Sequence, residues 1–230
     1  MLPCLLSVLW WTPMTTTTLK TAKQAEAIVH TLSAPSKMPG YSYNTPAFRC
    51  KIGSILRKIV GSVCEKCYAC KGRYIFQNVI DAMEKRFASL LNPRWVESIT
   101  FLISKKEKSG FFRWHDSGDL QGTWHLAKIV EVAKNLPHIS FWLPTREYTI
   151  VSDYIEKEGN TIPLNLCVRL SALMIDGNTP DAIAKRLGVQ VSGVSSAVGY
   201  TCPAPNQGNV CGSCRACWDR NVYLVNYKQH

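Results

Sequence analysis

Eight of the ten cysteines of this 230-residue chain fall into two compact groups. Cys64, Cys67 and Cys70 are spaced C-x2-C-x2-C, with Cys50 fourteen positions upstream. Cys211, Cys214 and Cys217 repeat the spacing, with Cys202 nine positions upstream. Thiolates three residues apart turn readily onto one inorganic centre, so these eight residues are the candidate metal ligands. A C-x2-C-x2-C run with a more distant fourth cysteine fits a 4Fe–4S cluster, whereas zinc sites more often pair two separated C-x2-C knuckles. Zinc is kept as the alternative metal.

Disulfides are the competing use of cysteine. They suit small secreted domains that lack a core, and this chain is 46% apolar over 230 residues. Residues 2–12 are apolar, but no basic segment precedes them and the run is too short to span a bilayer. Met14 opens a Thr-rich stretch and reads as an alternative start, which would leave 1–13 non-native. The expectation is a cytoplasmic protein with reduced thiols, in the host cytoplasm if virally encoded, and no membrane partner. Cys167 lies in an apolar run and reads as a small buried hydrophobe.

Lys plus Arg outnumber Asp plus Glu by 27 to 16, giving a net charge of +11. A field of that sign concentrates polyanions, so a nucleotide or nucleic acid is the expected partner. The dense basic stretches are Arg49–Lys58, Lys66–Arg73 and Lys105–Lys108, and the first two surround the first cysteine group. Oligomeric state is not legible.

The elements that must position these residues alternate. Strands are predicted near 111–114, 139–143, 164–168 and 191–198, with helices over 123–136, 148–157 and 179–187 between them. Thr179 and Pro180 open the last helix and Gly188 ends it. Two more helices read over 78–91 and 93–105, and a first strand over 41–48. A βα repeat of this kind builds a parallel sheet with right-handed crossovers. The predicted fold is α/β, a partial (β/α) barrel with a Cys-rich, cluster-bound C-terminal segment. Residues 1–35 read as an N-terminal extension, 36–200 as the core with the first cysteine group, and 201–230 as a Cys-rich cap.

Polar residues gather where each predicted strand ends: His115, Asp116, Ser117, Gly118 and Asp119 after one, Thr145, Arg146 and Glu147 after the next, Arg169 and Ser171 after the third. In parallel β/α folds that edge collects ligands and chemistry. His115, Asp116, Asp119, Arg146 and Glu147 are the candidate catalytic residues. Tyr68, Ser117, Gly118, Thr145 and Arg169 are the candidate cofactor-binding residues. His125 and His138 read as surface or helix-end residues.

Three thiolates on a 4Fe–4S cube leave one iron open, and an open iron can chelate S-adenosylmethionine. If Cys70 joins Cys50, Cys64 and Cys67, the cube is closed. The second group then reads as an auxiliary, fully ligated cluster.

Several stretches carry a family resemblance: SKMPGYSYNTP from Ser36, CEKCYACKGRY from Cys64, FRWHDSGDLQ from Phe112, FWLPTREY from Phe141, and Tyr200 to Trp218. Together they resemble a phage family named gene product eighty-eight, which implies a viral origin and brings no activity with it. Cys67-Tyr68-Ala69 and the strand order that follows also resemble a phage group with radical S-adenosylmethionine character. That resemblance implies an adenine-side role for Tyr68, the aromatic directly after Cys67. Radical enzymes use C-x3-C-x2-C, from which Cys50, Cys64 and Cys67 depart. Asp116 to Gln121 and Leu143 to Arg146 look like fragments of tRNA-guanine transglycosylases, which are zinc-bearing barrels; this implies that Asp116 is an acid/base or nucleophilic carboxylate, in a base-exchange reaction on tRNA or DNA. Asp181 to Val194 resembles a helix-turn-helix. The leading expectation is a radical S-adenosylmethionine-like iron–sulfur enzyme acting on a nucleotide, nucleic acid or modified base. The alternatives are the transglycosylase-like enzyme and a metal-stabilised nucleic-acid-binding protein without catalysis.

Overall fold

The computed structural model describes residues 18–195 and 198–229. The apolar stretch 2–12, Cys4 and the alternative start at Met14 lie outside these described residues. Seven strands form one all-parallel sheet in the order β1-β2-β3-β4-β5-β7-β6. They are β1 (Tyr41–Tyr43), β2 (Phe111–Trp114), β3 (Ser140–Thr145), β4 (Leu166–Ser171), β5 (Gln190–Val194), β6 (Tyr200–Thr201) and β7 (Leu224–Tyr227). The helices are α1 (Ala22–Val29), α2 (Lys51–Leu56), α3 (Gln77–Ser89), α4 (Trp95–Lys106), α5 (Thr123–Asn135), α6 (Tyr148–Ser152) and α7 (Asp181–Leu187). β1 and β6 are the sheet edges.

Side chains alternate across a strand, and here the alternation separates two different faces. Phe112, Trp114, Phe141, Leu143, Val168 and Leu170 point into one core with α1, α4, α5, α6 and α7. Their neighbours Phe111 and Trp142 pack instead with Cys217, Trp218, Val225 and Tyr227. These five helices therefore cover one face and the Cys-rich segment covers the other.

The N-terminal residues join the helical layer. Thr21 and Gln24 form a reciprocal capping box that starts α1. Ala25 and Val29 of α1 are fully buried in the main core. The C-terminal stretch also enters the sheet, through β6 and β7.

The helix-turn-helix expectation fails. After Gly188 the chain runs straight into β5, which pairs with β4 and β7. β-branched Val191 and Val194 favour that strand, and α7 has no recognition helix behind it. His125 is a helix-end residue, in the first turn of α5, but not a surface one: it is fully buried, its ring against Trp95 and Trp124.

Candidate functional site

Residues 50–75 lie across the C-terminal ends of the first four strands. The Ile52 N–H, in the first turn of α2, donates to Glu147 Oε1 at 2.9 Å, just beyond β3. Lys51 Nζ donates to the Gln121 carbonyl at 2.8 Å, beyond β2. Val63 and Ile175 donate backbone bonds that tie 61–63 to the 173–175 loop after β4. The Tyr68 hydroxyl donates to the Asp116 carbonyl at 2.5 Å.

Under this segment, Asp119, Thr145, Arg146 and Glu147 form one polar group. The Asp119 carboxylate accepts from the Thr145 hydroxyl at 2.6 Å and from the N–H groups of Leu120 and Arg146 at 2.8 and 3.0 Å. The Glu147 N–H donates to the Thr145 hydroxyl at 3.0 Å. Burial pushes the pKa of both carboxyls up. They face Cys50, whose thiol is also pushed up, by burial first and then by their negative charge. Burial raises Cys64 as well, against the opposing pull of the Arg146 guanidinium. The structure thus brings Cys50, Cys64, Asp119, Thr145, Arg146 and Glu147 together.

Gly53 explains how two of the sulfurs share a space. A Cβ at this position would stand 3.7 Å from both the Cys50 and Cys64 sulfurs, and 2.9 Å from the Cys50 Cβ. A side chain here would crowd the Cys50 Cβ and stand in contact with both sulfurs. Cys67 and Cys70 lie beside each other next to them, and burial raises the Cys70 thiol.

Asp116 belongs to a second, enclosed group. Its carboxylate accepts from Ser42 Oγ at 2.6 Å, Asn44 Nδ2 at 3.1 Å and the Tyr74 hydroxyl at 3.0 Å. Only 4% of the residue is exposed, so three donors hold this carboxylate inside the β1–β2 edge. Gly118 lets the 115–119 loop approach β1: its φ is +87°, and a Cβ there would run into the Thr45 hydroxyl. Thr45 N–H donates to the Ser117 carbonyl at 3.0 Å, while the Ser117 side chain faces the interior.

Two candidates lie apart. His115 is buried against His125, ring centroids 5.3 Å apart, and burial pushes its pKa down to about 3. At neutral pH it is an uncharged imidazole. Arg169 is fully buried on the other face of the sheet. Its guanidinium donates to the carbonyls of Cys217, Val191, Tyr223, Ala216 and Asp219 at 2.7–3.2 Å. Every one of these bonds binds the C-terminal segment or β5, and none reaches the strand-end group.

The second cysteine group sits on the sheet face. The Cys202 N–H donates to the Asn226 carbonyl at 2.9 Å, and Cys211 N–H to the Lys37 carbonyl at 2.8 Å. Trp218 Nε1 donates to the Phe112 carbonyl at 2.9 Å while its ring packs on Phe111 and Trp142. Tyr227 and Tyr200 place their hydroxyls 3.1 and 3.3 Å from the Cys217 and Cys214 sulfurs. Burial raises the Cys217 thiol to about 12. Arg113 stands between the two groups: Nη2 donates to the Tyr68 hydroxyl at 3.2 Å, the guanidinium lies 4.4 Å over Trp142, and Cys211 and Cys217 feel its charge.

All nine cysteines in the described region are free thiols. Among the described residues, no three His, Cys, Asp or Glu side chains stand close enough to hold a metal ion between them. A single tetrahedral zinc at Zn–S of about 2.3 Å needs its sulfurs about 4 Å apart. A multi-iron cluster bridges more widely spaced thiolates than a single zinc ion does.

Sequence reasoning missed Asn44, Tyr74, Arg113 and Gly53. Asn44 obeys the same strand-end rule as the others, but the predicted first strand ran on to residue 48 and hid it. Tyr74 and Gly53 sit in irregular or short elements, where spacing carries no signal.

These features define a class: an all-parallel α/β protein with one thiol group over the strand ends and another on the sheet face. The chain belongs to the Gene product 88 family, whose match covers residues 12–220. No curated protein and no solved structure matches it. No helix among the described residues is long and apolar enough to cross a membrane.

Proposed function

We propose that this protein is an iron–sulfur enzyme of the radical S-adenosylmethionine type, acting on a nucleotide, nucleic acid or modified base in a reducing cytoplasm. The observation that carries the reading is the meeting of Cys50 and Cys64 across the Gly53 gap, at the strand ends and beside Asp119, Arg146 and Glu147. The β1-to-β5 strands follow chain order with the helices packed on one face; a segment of a β/α barrel would be wound the same way, which supports the reading. Cys50, Cys64 and Cys67 would hold the reactive cluster, and Cys202, Cys211, Cys214 and Cys217 an auxiliary one.

A cluster with one iron free of cysteine supplies, when reduced, the electron that cleaves the sulfonium bond of S-adenosylmethionine. The chain's own contribution is electrostatic. Arg146 offers the cation at this edge for a carboxylate. Glu147, its pKa raised by burial, offers an acceptor for a hydroxyl or amino group, while Asp119, which already accepts from Thr145, Leu120 and Arg146, holds the loop that presents Arg146. Tyr68, fixed through its hydroxyl, presents its ring at the mouth.

Oxygen-free purification tests the reading. The expected protein is brown, carries about eight irons in two four-iron clusters, and cleaves S-adenosylmethionine on reduction. Colourless protein with stoichiometric zinc would defeat it and leave the non-catalytic alternative. Cys70→Ala separates the two forms of the first cluster: an open cluster keeps its iron, a closed one loses it. The transglycosylase alternative draws no support from Asp116, which is enclosed by three donors.

A further inference from the structure

Seven of the thirteen large hydrophobic side chains exposed among the described residues lie between 48 and 76. Phe48 is 64% exposed, Val60 83% and Phe76 57%. The same stretch carries seven Lys and Arg against a single acid, Glu65, so it holds more than half of the chain's net +11. Glu65 is turned inward, accepting from the Gly61 N–H at 2.8 Å. Lys58, Lys66, Lys71 and Arg73 are exposed and make no ion pair among the described residues. Arg57 lies 4.8 Å over the Phe48 ring, so one platform already pairs a guanidinium with an aromatic face.

A solvated surface rarely exposes this much apolar area without a partner. Cations alone would fit any polyanion. Exposed rings set among free cations fit a polyanion that also offers flat apolar faces, which is a single strand with unstacked bases. A duplex hides those faces. A lipid surface calls for an amphipathic helix with one continuous apolar face, and here the exposed apolar side chains are spread over α2, short turns and loops.

We propose that residues 48–76 bind a single-stranded oligonucleotide across the mouth of the first cysteine group, with Phe48 and Phe76 stacking bases and Lys58, Lys66, Lys71 and Arg73 neutralising phosphates. The inference rests on reading that mouth as the reactive edge, for which it names the substrate class.

The test is fluorescence anisotropy of the full chain, purified without oxygen, with labelled oligothymidylate and oligouridylate of about 15 nucleotides. A duplex of equal length and phosphatidylserine vesicles are the competitors. Either single strand is expected to bind more tightly than both. Replacing Lys58, Lys66, Lys71 and Arg73 by Ala is expected to flatten the log–log salt slope by about 3, at about 0.7 per phosphate. Phe76→Ala is expected to weaken binding roughly 5- to 100-fold with the slope unchanged. Duplex or vesicle binding as tight as the single strand, or a fourfold variant with the wild-type slope, would overturn the proposal. Iron is counted on the same samples. Iron-free protein that still binds single strands defeats the radical reading and leaves this surface standing; iron-loaded protein that ignores them does the reverse.

Discussion

Residues 50–70 carry their cysteines at the N-cap of a six-residue helix and on short turns laid over strand ends, in a basic, partly exposed setting beside buried carboxyls and Arg146. Residues 202–217 carry the same C-x2-C-x2-C run on the sheet face, fastened by Arg169, Trp218 and two tyrosine hydroxyls. The first setting places buried carboxyls and the Arg146 cation beside its thiols; the second places its thiols against the sheet, among arginines and tyrosine hydroxyls, with no carboxylate of the described residues bonded to them. Identical spacing therefore leads to different expected roles, because surroundings rather than ligand order decide whether a bound group reacts or holds the fold. The difference is open to attack from either side.

The largest effect is expected at Arg169. Three of its five bonds to backbone carbonyls are fully buried and two are part-buried. Arg169→Met keeps volume but leaves carbonyls of residues 216–219 without their donor, at a cost on the order of 4 kcal/mol. Urea denaturation followed by far-ultraviolet dichroism measures it. Iron should fall by about four atoms per chain, one cluster, from the second group alone. A wild-type midpoint, or equal loss from both groups, would remove the distinction drawn here between a fastened and an open cysteine region.

Gly53→Ala attacks the other side. In an exposed helix this change gains up to about 1 kcal/mol. Here the new methyl meets the Cys50 Cβ at 2.9 Å and stands 3.7 Å from both the Cys50 and Cys64 sulfurs. The sign should reverse, to a loss of about 1–3 kcal/mol from overcrowding. Iron in the first group should drop while the second group's is kept. Full iron in Gly53→Ala protein would show that the gap is not where the first group binds.

The parts of this comparison differ in how readily the amino acids announce them. Strands 111–114 and 140–145 and the helix from 123 were legible because apolar periodicity and Pro137 or Gly punctuation agree there. The edge residues Asp119, Thr145 and Glu147 followed from the strand-end rule alone. Arg169 obeyed the same rule but, as an interior position of β4, points sideways onto the cap, since strand alternation and not chain order sets direction. The first strand ended at Tyr43 rather than 48, because Pro46 and a 3-10 turn interrupt it. β7 was overlooked although Val222 to Tyr227 is rich in β-branched and aromatic residues; the cysteines upstream drew the whole segment into a cap.

Acid should separate the two regions by the smallest margin. His115 and His125 pack against each other beneath the first region, with Arg113 facing one and Lys128 the other. Burial, aided by these cations, lowers the His115 pKa to about 3 and that of His125 well below its usual value. The unfolded chain takes up these protons near pH 6.5 and the folded one does not. Stability from neutral imidazoles is thus fully present above about pH 6.5 and declines as pH falls toward the folded values, by up to about 1.4 kcal/mol per unit for each histidine. The drop in urea midpoint between pH 6.5 and 5.5 should shrink in His125→Phe, which removes a proton acceptor while keeping a ring among Trp95, Trp124 and His115. Arg169→Met, damaging only the cap, should keep the full drop. If both variants lost it equally, the acid response would belong to the fold as a whole, and the histidine pair would not distinguish the strand-end region from the cap.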